Sequence, residues 1–289
     1  MIQTTPPKVA AVHDLSGFGR CSLSVIIPVL SSMGVQVCPV PTAVLSTHTG
    51  GFENYSFVDL TDHLTQYLNH WCELDIDFDC FYSGFFGSVK QMDIMADYIQ
   101  RLKKKGTLIV IDPVFADEGE LYSTFTNDII SNMKNYISFA DIITPNMTEA
   151  CFLLDEEFKP CYSASDLRSM LKRLTDMGPG IAVITSVSLD DGNCGVVAYD
   201  KMNDRYWNVW CEYMPAEYPG TGDIFCSVMI GALLSGDSLP MALDRAVGFV
   251  SLAIKTTFGY TGPLRDGVFI EKILHTLSES PSSFNYSVF

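Results

Sequence analysis

The residues best equipped for chemistry are Pro219-Gly220-Thr221-Gly222-Asp223, followed at once by an apolar run over 224–234. Two glycines permit a tight turn in which several backbone N–H groups face one point. A helix beginning there adds the positive end of its dipole, so Gly220, Thr221 and Gly222 form a candidate anion hole. Asp223 sets a carboxylate beside it. That pairing suits phosphoryl transfer, in which a base takes a hydroxyl proton while amides hold the charge developing on the γ-phosphate. The plainer alternative for Asp223 is a helix N-cap.

Other polar residues stand at the ends of apolar runs. Asp112 closes the run 108–111, where a carboxylate is costly unless it is paired or near a metal, and Asp117 follows it. Asp112-Pro113 also reads as a strand-ending turn. Asn146 and Glu149, three apart at the opening of a helix, face one side. A Glu so placed can position Mg²⁺ through water, and the same string reads equally as a capping box. Asp14 and Ser16, the 46–51 loop, the 83–86 segment, and Thr185 with Ser186 occupy comparable places. The string 14–19 can also be a βα turn with an N-cap.

Strands alternating with helices must hold these residues. Apolar runs predict strands over 9–13, 35–44, 78–82, 108–111, 142–144 and 181–185. Helical spacing predicts helices over 22–33, kinked at Pro28, and over 59–71, 91–105 and 166–177. Residues 14–20 read as a turn-rich loop, and 195–199 with 206–210 as a hairpin around Asn203-Asp204. The chain after Asp223 reads as mostly helical to residue 277, with 278–289 a C-terminal tail. Repeated βα units imply an α/β fold with a mainly parallel sheet covered on both faces, and ligands bind beyond the C-terminal strand ends of such sheets. No linker or repeat interrupts the 289 residues, so one domain is expected.

Composition narrows the partners. A net charge of −16 argues against nucleic acid and anionic membranes, which need basic surfaces. It leaves ATP open, because a nucleotide responds to local amides and metal. Nine cysteines without a CxxC spacing, no signal-peptide core and no apolar run of spanning length point to reduced thiols in a cytoplasmic setting. His63 and His70, seven apart, mark a helix face rather than a zinc site.

Taken in order, these strings resemble the ribokinase-like (phosphofructokinase B type) kinases, and within them the vitamin kinases. Residues 219–223 look like the family's GTGD motif, Asp112-Pro113-Val114 with Asp117 like its DPV element, and Pro145-Asn146 with Glu149 like its PNxxE element. Val183-Ile184-Thr185-Ser186 resembles the strand facing the ATP phosphates. Ser46-Thr47-His48-Thr49-Gly50 and Ser83-Gly84-Phe85 resemble the substrate loops of pyridoxal kinases. The resemblance spans residues 8 to 277. It implies a three-layer α/β/α sandwich and transfer of the ATP γ-phosphate to the 5′-hydroxymethyl group of pyridoxal, pyridoxine or pyridoxamine.

Carried over, Asp223 is the base and Gly220, Thr221 and Gly222 the anion hole. Asp112, Asn146, Glu149, Thr185 and Ser186 serve ATP, and Asp112, Asp117 and Glu149 face Mg²⁺. Asp14, Ser16, His48, Thr49 and Phe85 serve the vitamer. Mg²⁺ with ATP is the implied cofactor, a monovalent cation (K⁺) a candidate addition, and a homodimer the implied assembly. Phe85 stands where many relatives have Tyr, and Asp14-Leu15-Ser16-Gly17-Phe18-Gly19 looks more like the hydroxymethylpyrimidine kinases of thiamine synthesis. Those enzymes commonly carry Cys where Asp223 stands, so a pyrimidine kinase and a non-catalytic binding relative remain the alternatives.

Overall fold

Burial alternates residue by residue along the inner strands, so each strand feeds two separate cores. Ala10 and Val12 face one side of the sheet, and Val9 and Ala11 the other; Ile109 and Ile111 oppose Val110, and Ala182 and Ile184 oppose Val183. Strands buried on both faces read as continuous apolar runs, which is why they stood out in the sequence. The computed structural model describes residues 5–122, 124–188, 193–279 and 283–289.

The elements run β1 (Lys8–Phe18), α1 (Leu23–Ser32), β2 (Gln36–Thr47), β3 (Phe57–Asp59), α2 (Thr61–Glu73), β4 (Cys80–Ser83) and α3 (Val89–Leu102). Next come β5 (Leu108–Ile111), β6 (Ala116–Asp117), β7 (Glu120–Leu121), α4 (Asp128–Tyr136), β8 (Ile142–Ile143), α5 (Met147–Leu154) and α6 (Ala164–Asp176). The chain closes with β9 (Ile181–Ser188), β10 (Asn193–Asp200), β11 (Arg205–Glu212), α7 (Thr221–Leu234), α8 (Leu239–Phe258) and β12 (Ser287–Val288). Ten strands form one sheet in the order β12-β11-β10-β9-β8-β5-β4-β1-β2-β3. Its centre, from β2 to β9, is parallel, with antiparallel strands at both margins. Helices α2 to α6 pack on one face, and α1, α7 and α8 on the other, giving the expected three-layer α/β/α sandwich.

Strand order reverses at β1, which has β2 on one side and β4 on the other. Ligands in such sheets bind where the order reverses. Two local expectations need revision. Residues 14–18, read as loop, continue β1, because Leu15, Ser16 and Phe18 pair with Val44, Leu45 and Thr47 of β2. The register slips between His13 and Leu15, at Asp14. Pairing with β2 overrides a composition rich in Gly and Ser. Helix α1 runs unbroken through Pro28. The segment expected as a tail ends in β12, which pairs with Trp207 and Asn208 of β11.

Helix α7 is apolar nearly all round and buried between the sheet, α1 and α8. Ile230 is fully buried there. Ile230→Ala is expected to cost about 2–5 kcal/mol from cavity formation, read as a lower denaturant midpoint at an unchanged slope.

Candidate active site

Two chain connections meet at the C-terminal edge of β1. Helix α7 is capped by Gly220, whose φ of 79° lies in the left-handed region, and an added Cβ would stand 2.1 Å from the Arg20 carbonyl oxygen. The first helical bond runs from the Ile224 N–H to the Gly220 carbonyl. The N–H groups of Thr221, Gly222 and Asp223 therefore lack intrahelical acceptors, which is the geometry an anion hole would need. Asp223 is the third helical residue rather than the N-cap. Its carboxylate reaches across to the β1–α1 connection.

There Oδ2 of Asp223 accepts the Ser22 N–H at 2.8 Å and the Cys21 thiol at 3.5 Å. Ser22 holds a left-handed φ of 52° and donates its hydroxyl to Oδ1 of Asp14, while Ser16 donates to Oδ2 of Asp14 at 2.9 Å. Ser22 thus joins two buried carboxylates, one through its amide and one through its hydroxyl. Burial raises the Asp223 pKa to about 6, with the Asp14 charge adding to it and the Ser22 amide opposing it. Asp14 is also shifted upward, by burial first.

His13 lies beneath this pair. Its Nδ1 is 3.7 Å from Oδ1 of Asp223, beyond hydrogen-bond reach, and neither ring nitrogen has a partner. Burial lowers its pKa to about 3, so it stands neutral beside Asp223 and forms no ion pair. The ring packs edge-on to Tyr82 and over Gly84, where a Cβ would lie 2.3 Å from a ring carbon.

A second carboxylate group forms beyond β5 and β8. Oδ1 of Asp112 accepts the Thr144 hydroxyl at 2.9 Å, and Thr144 also meets the Cys226 sulfur at 3.0 Å. Burial, then the charge of Asp223, raises the Asp112 pKa to about 7. Asn146 and Glu149 do form a capping box: Glu149 N–H donates to Asn146 Oδ1, and Asn146 N–H donates to Glu149 Oε2, each at 2.8 Å. Glu149 also accepts the Phe115 N–H at 3.2 Å through Oε1. Burial drives its pKa far upward, reinforced by Asp112 and, more weakly, Asp117. Asp117 itself is exposed in the β6–β7 turn. Asn146 donates to the Ala116 carbonyl and bridges to Thr185; Ser186 follows with a left-handed φ of 56°.

These groups suit a hydrated divalent ion. Among the described residues no set of three or more His, Cys, Asp or Glu could enclose a metal alone. Mg²⁺ asks for less, since it keeps water and binds through one or two carboxylates plus phosphate. Asp112 and Glu149, desolvated and mutually repelling, supply that donor chemistry.

The residues expected at the ring lie after β2 (His48, Thr49) and after β4 (Phe85). His48 is buried; its Nε2 meets the Arg265 carbonyl at 2.7 Å, and Gly50 N–H donates to its Nδ1 at 3.1 Å. Thr49 is half-buried. Phe85 packs on Phe125, with ring centres 5.6 Å apart. Cys21, Ser22 and His13 were given no role by the sequence, and Thr144 entered only as the end of the 142–144 run that leads into Pro145-Asn146.

A ribokinase-like fold with this edge defines a small-molecule kinase. The chain belongs to the phosphomethylpyrimidine kinase family, which matches residues 27–264. It is 47% identical, over 99% of its length and 100% of the other chain, to a Bacteroides thetaiotaomicron protein assigned as a phosphomethylpyrimidine kinase and crystallised with pyridoxal, with a TM-score of 0.95. It is also similar to the pyridoxal kinase of Lactobacillus plantarum, with 31% identity, a TM-score of 0.86 and coverage of 94% of this chain and 96% of that one. A pyridoxal kinase of Rubrobacter xylanophilus is 24% identical over 258 residues, 86% of this chain and 87% of the relative.

Gly220→Ala is expected to lower the melting temperature and abolish most turnover, because it adds positive-φ strain of roughly 1–2 kcal/mol and a clash with the Arg20 backbone. An unchanged melting curve would show that the two connections do not depend on this close approach.

Proposed function

We propose that the protein transfers the γ-phosphoryl group of ATP to the 5′-hydroxymethyl group of a B6 vitamer. The observation that carries this reading is the Asp223 carboxylate, buried at the N-terminal turn of α7, with its pKa raised to about 6 and its orientation set by the Ser22 amide. The hydroxymethyl oxygen attacks the γ-phosphorus and its proton passes to Asp223. The bond to the β–γ bridging oxygen breaks, and ADP departs. The N–H groups of Thr221, Gly222 and Asp223 hold the transferring oxygens. Mg²⁺ would neutralise phosphate charge, held by Asp112 and Glu149. The pyridoxal bound to the Bacteroides protein supports a pyridine substrate. The family to which the chain belongs, and the hydroxymethylpyrimidine-kinase-like string 14–19, favour hydroxymethylpyrimidine as the competing substrate.

The deciding experiment supplies ATP with each B6 vitamer and with hydroxymethylpyrimidine, and reads product mass. Phosphorylation of the pyrimidine alone overturns the vitamer assignment; no product from any of them overturns the kinase chemistry. Asp223→Asn should keep the fold and lower kcat on the order of 10²–10⁴-fold, since the amide cannot accept the proton. Asp223 must be ionised to act, so kcat/KM should be full well above pH 6 and fall as pH drops through about 6. Asp14 and Asp112 are titratable carboxylates whose charges couple to Asp223 and so bear on that limb.

Glu149→Gln should raise the Mg²⁺ needed for half-maximal rate more than it raises the vitamer KM, because a neutral amide is a poor partner for a divalent ion. An unchanged Mg²⁺ titration would reduce Glu149 to its capping role.

A homodimer is also proposed. Leu15, Val44 and Val58 form an exposed apolar row across β1, β2 and β3, at 37%, 39% and 52% exposure. A second copy covering that row would bury it. Light scattering should give a dimer mass, and Val58→Asp should shift it to a monomer; a monomer mass for the unaltered chain overturns the proposal.

A further inference from the structure

Cys194 and Cys211 stand directly opposite each other on the antiparallel strands β10 and β11, with their sulfur atoms 3.6 Å apart. Opposed residues on such strands have Cα atoms about 4.5–5.5 Å apart, inside the span of about 4.4–6.8 Å that a disulfide bridges. The strands also approach closely beside the pair. Gly195 follows Cys194, and a Cβ there would lie 2.0 Å from the Val209 carbonyl oxygen. Cys211 lies on the face of the sheet that carries α8, with the Lys255 ammonium nearby. Both cysteines are half-buried, so a small reagent can reach them.

We infer that Cys194 and Cys211 form an oxidisable dithiol site whose reactant is a low-molecular-weight disulfide. The two sulfurs have unequal roles. Contact with the Cys211 sulfur lowers the Cys194 pKa to about 7, while the same contact and burial push Cys211 upward. Cys194, as thiolate, attacks one sulfur of the reagent, releasing one small thiol and leaving a mixed disulfide. Cys211 then gives its proton to solvent and attacks the Cys194 sulfur, expelling the second small thiol. Two protein thiols are oxidised and one reagent disulfide is reduced to two thiols. The product ties the end of β11 to β10, just before the chain enters 213–219 and turns into Gly220. The site does not depend on which substrate the kinase takes.

The test equilibrates the full chain with mixtures of glutathione and glutathione disulfide, quenches with an alkylating agent, and maps peptides by mass. The expected result is a 194–211 linkage that appears in oxidising mixtures, is reversed by excess thiol, and leaves Cys80 and Cys226 alkylatable after unfolding. Cys211→Ser should stop the reaction at a glutathione adduct on Cys194, and Cys194→Ser should prevent any linkage of Cys211. The linked form should melt higher than the reduced form, because the cross-link fits the native register. Two free thiols in the oxidising mixture, a stable adduct on Cys194 that never closes, pairing with another cysteine, or a lower melting temperature would each overturn the inference.

Discussion

Carboxylate crowding is the constraint around which this molecule is arranged. Asp14, Asp112, Glu149 and Asp223 are all buried along one edge of the sheet. Each resists ionisation because burial removes water, and Asp112, Glu149 and Asp223 each feel at least one other carboxylate as well. A cluster of this kind destabilises the empty fold. It persists because the surroundings donate to it: the Ser22 amide and hydroxyl, the Ser16 and Thr144 hydroxyls, and the amides of Asn146 and Phe115. Those donors lower the cost without removing it, and the remaining repulsion favours a bound cation.

The architecture follows from the need to place these donors. An amide can be aimed at Asp223 only if the β1–α1 connection passes within hydrogen-bond distance of α7. That passage forces Ser22 into the left-handed region and leaves no room for a Cβ at Gly220. The core on the α1, α7 and α8 face of the sheet packs α1 directly against α7, so the strain at Ser22 is set by packing that extends away from the site. The same logic applies at Glu149, where the capping box with Asn146 fixes the direction of the side chain.

Much of this was legible in the sequence. The inner strands announced themselves as apolar runs, and the glycines at 220 and 222 marked the turn that opens α7. What stayed hidden depended on contacts between distant segments. Nothing local distinguishes residues 14–18 from a loop, since their strand character comes from β2. Cys21, Ser22 and Thr144 matter through partners more than 30 positions away in the chain. His13 was invisible for another reason: a histidine at the end of an apolar strand gives no sign that both its nitrogens lie buried and unpaired.

His48 shows what residue type alone leaves out about a side chain's surroundings. An imidazole at position 48 suggested a hydrogen bond to the polar rim of a pyridine ring. In the fold, both nitrogens of His48 are committed, one to the Arg265 carbonyl and one to the Gly50 amide. Gly19 approaches so closely that a Cβ there would fall 2.4 Å from the ring. His48 also stands edge-on to Phe52, over which the Arg265 guanidinium lies 4.7 Å from the ring centre. The histidine therefore joins the end of β1, the 48–52 loop and the 264–266 turn into one shelf. A histidine held by two hydrogen bonds and by the close approach of Gly19 acts as a positioning element, fixing where the backbones of three segments distant in sequence stand relative to one another.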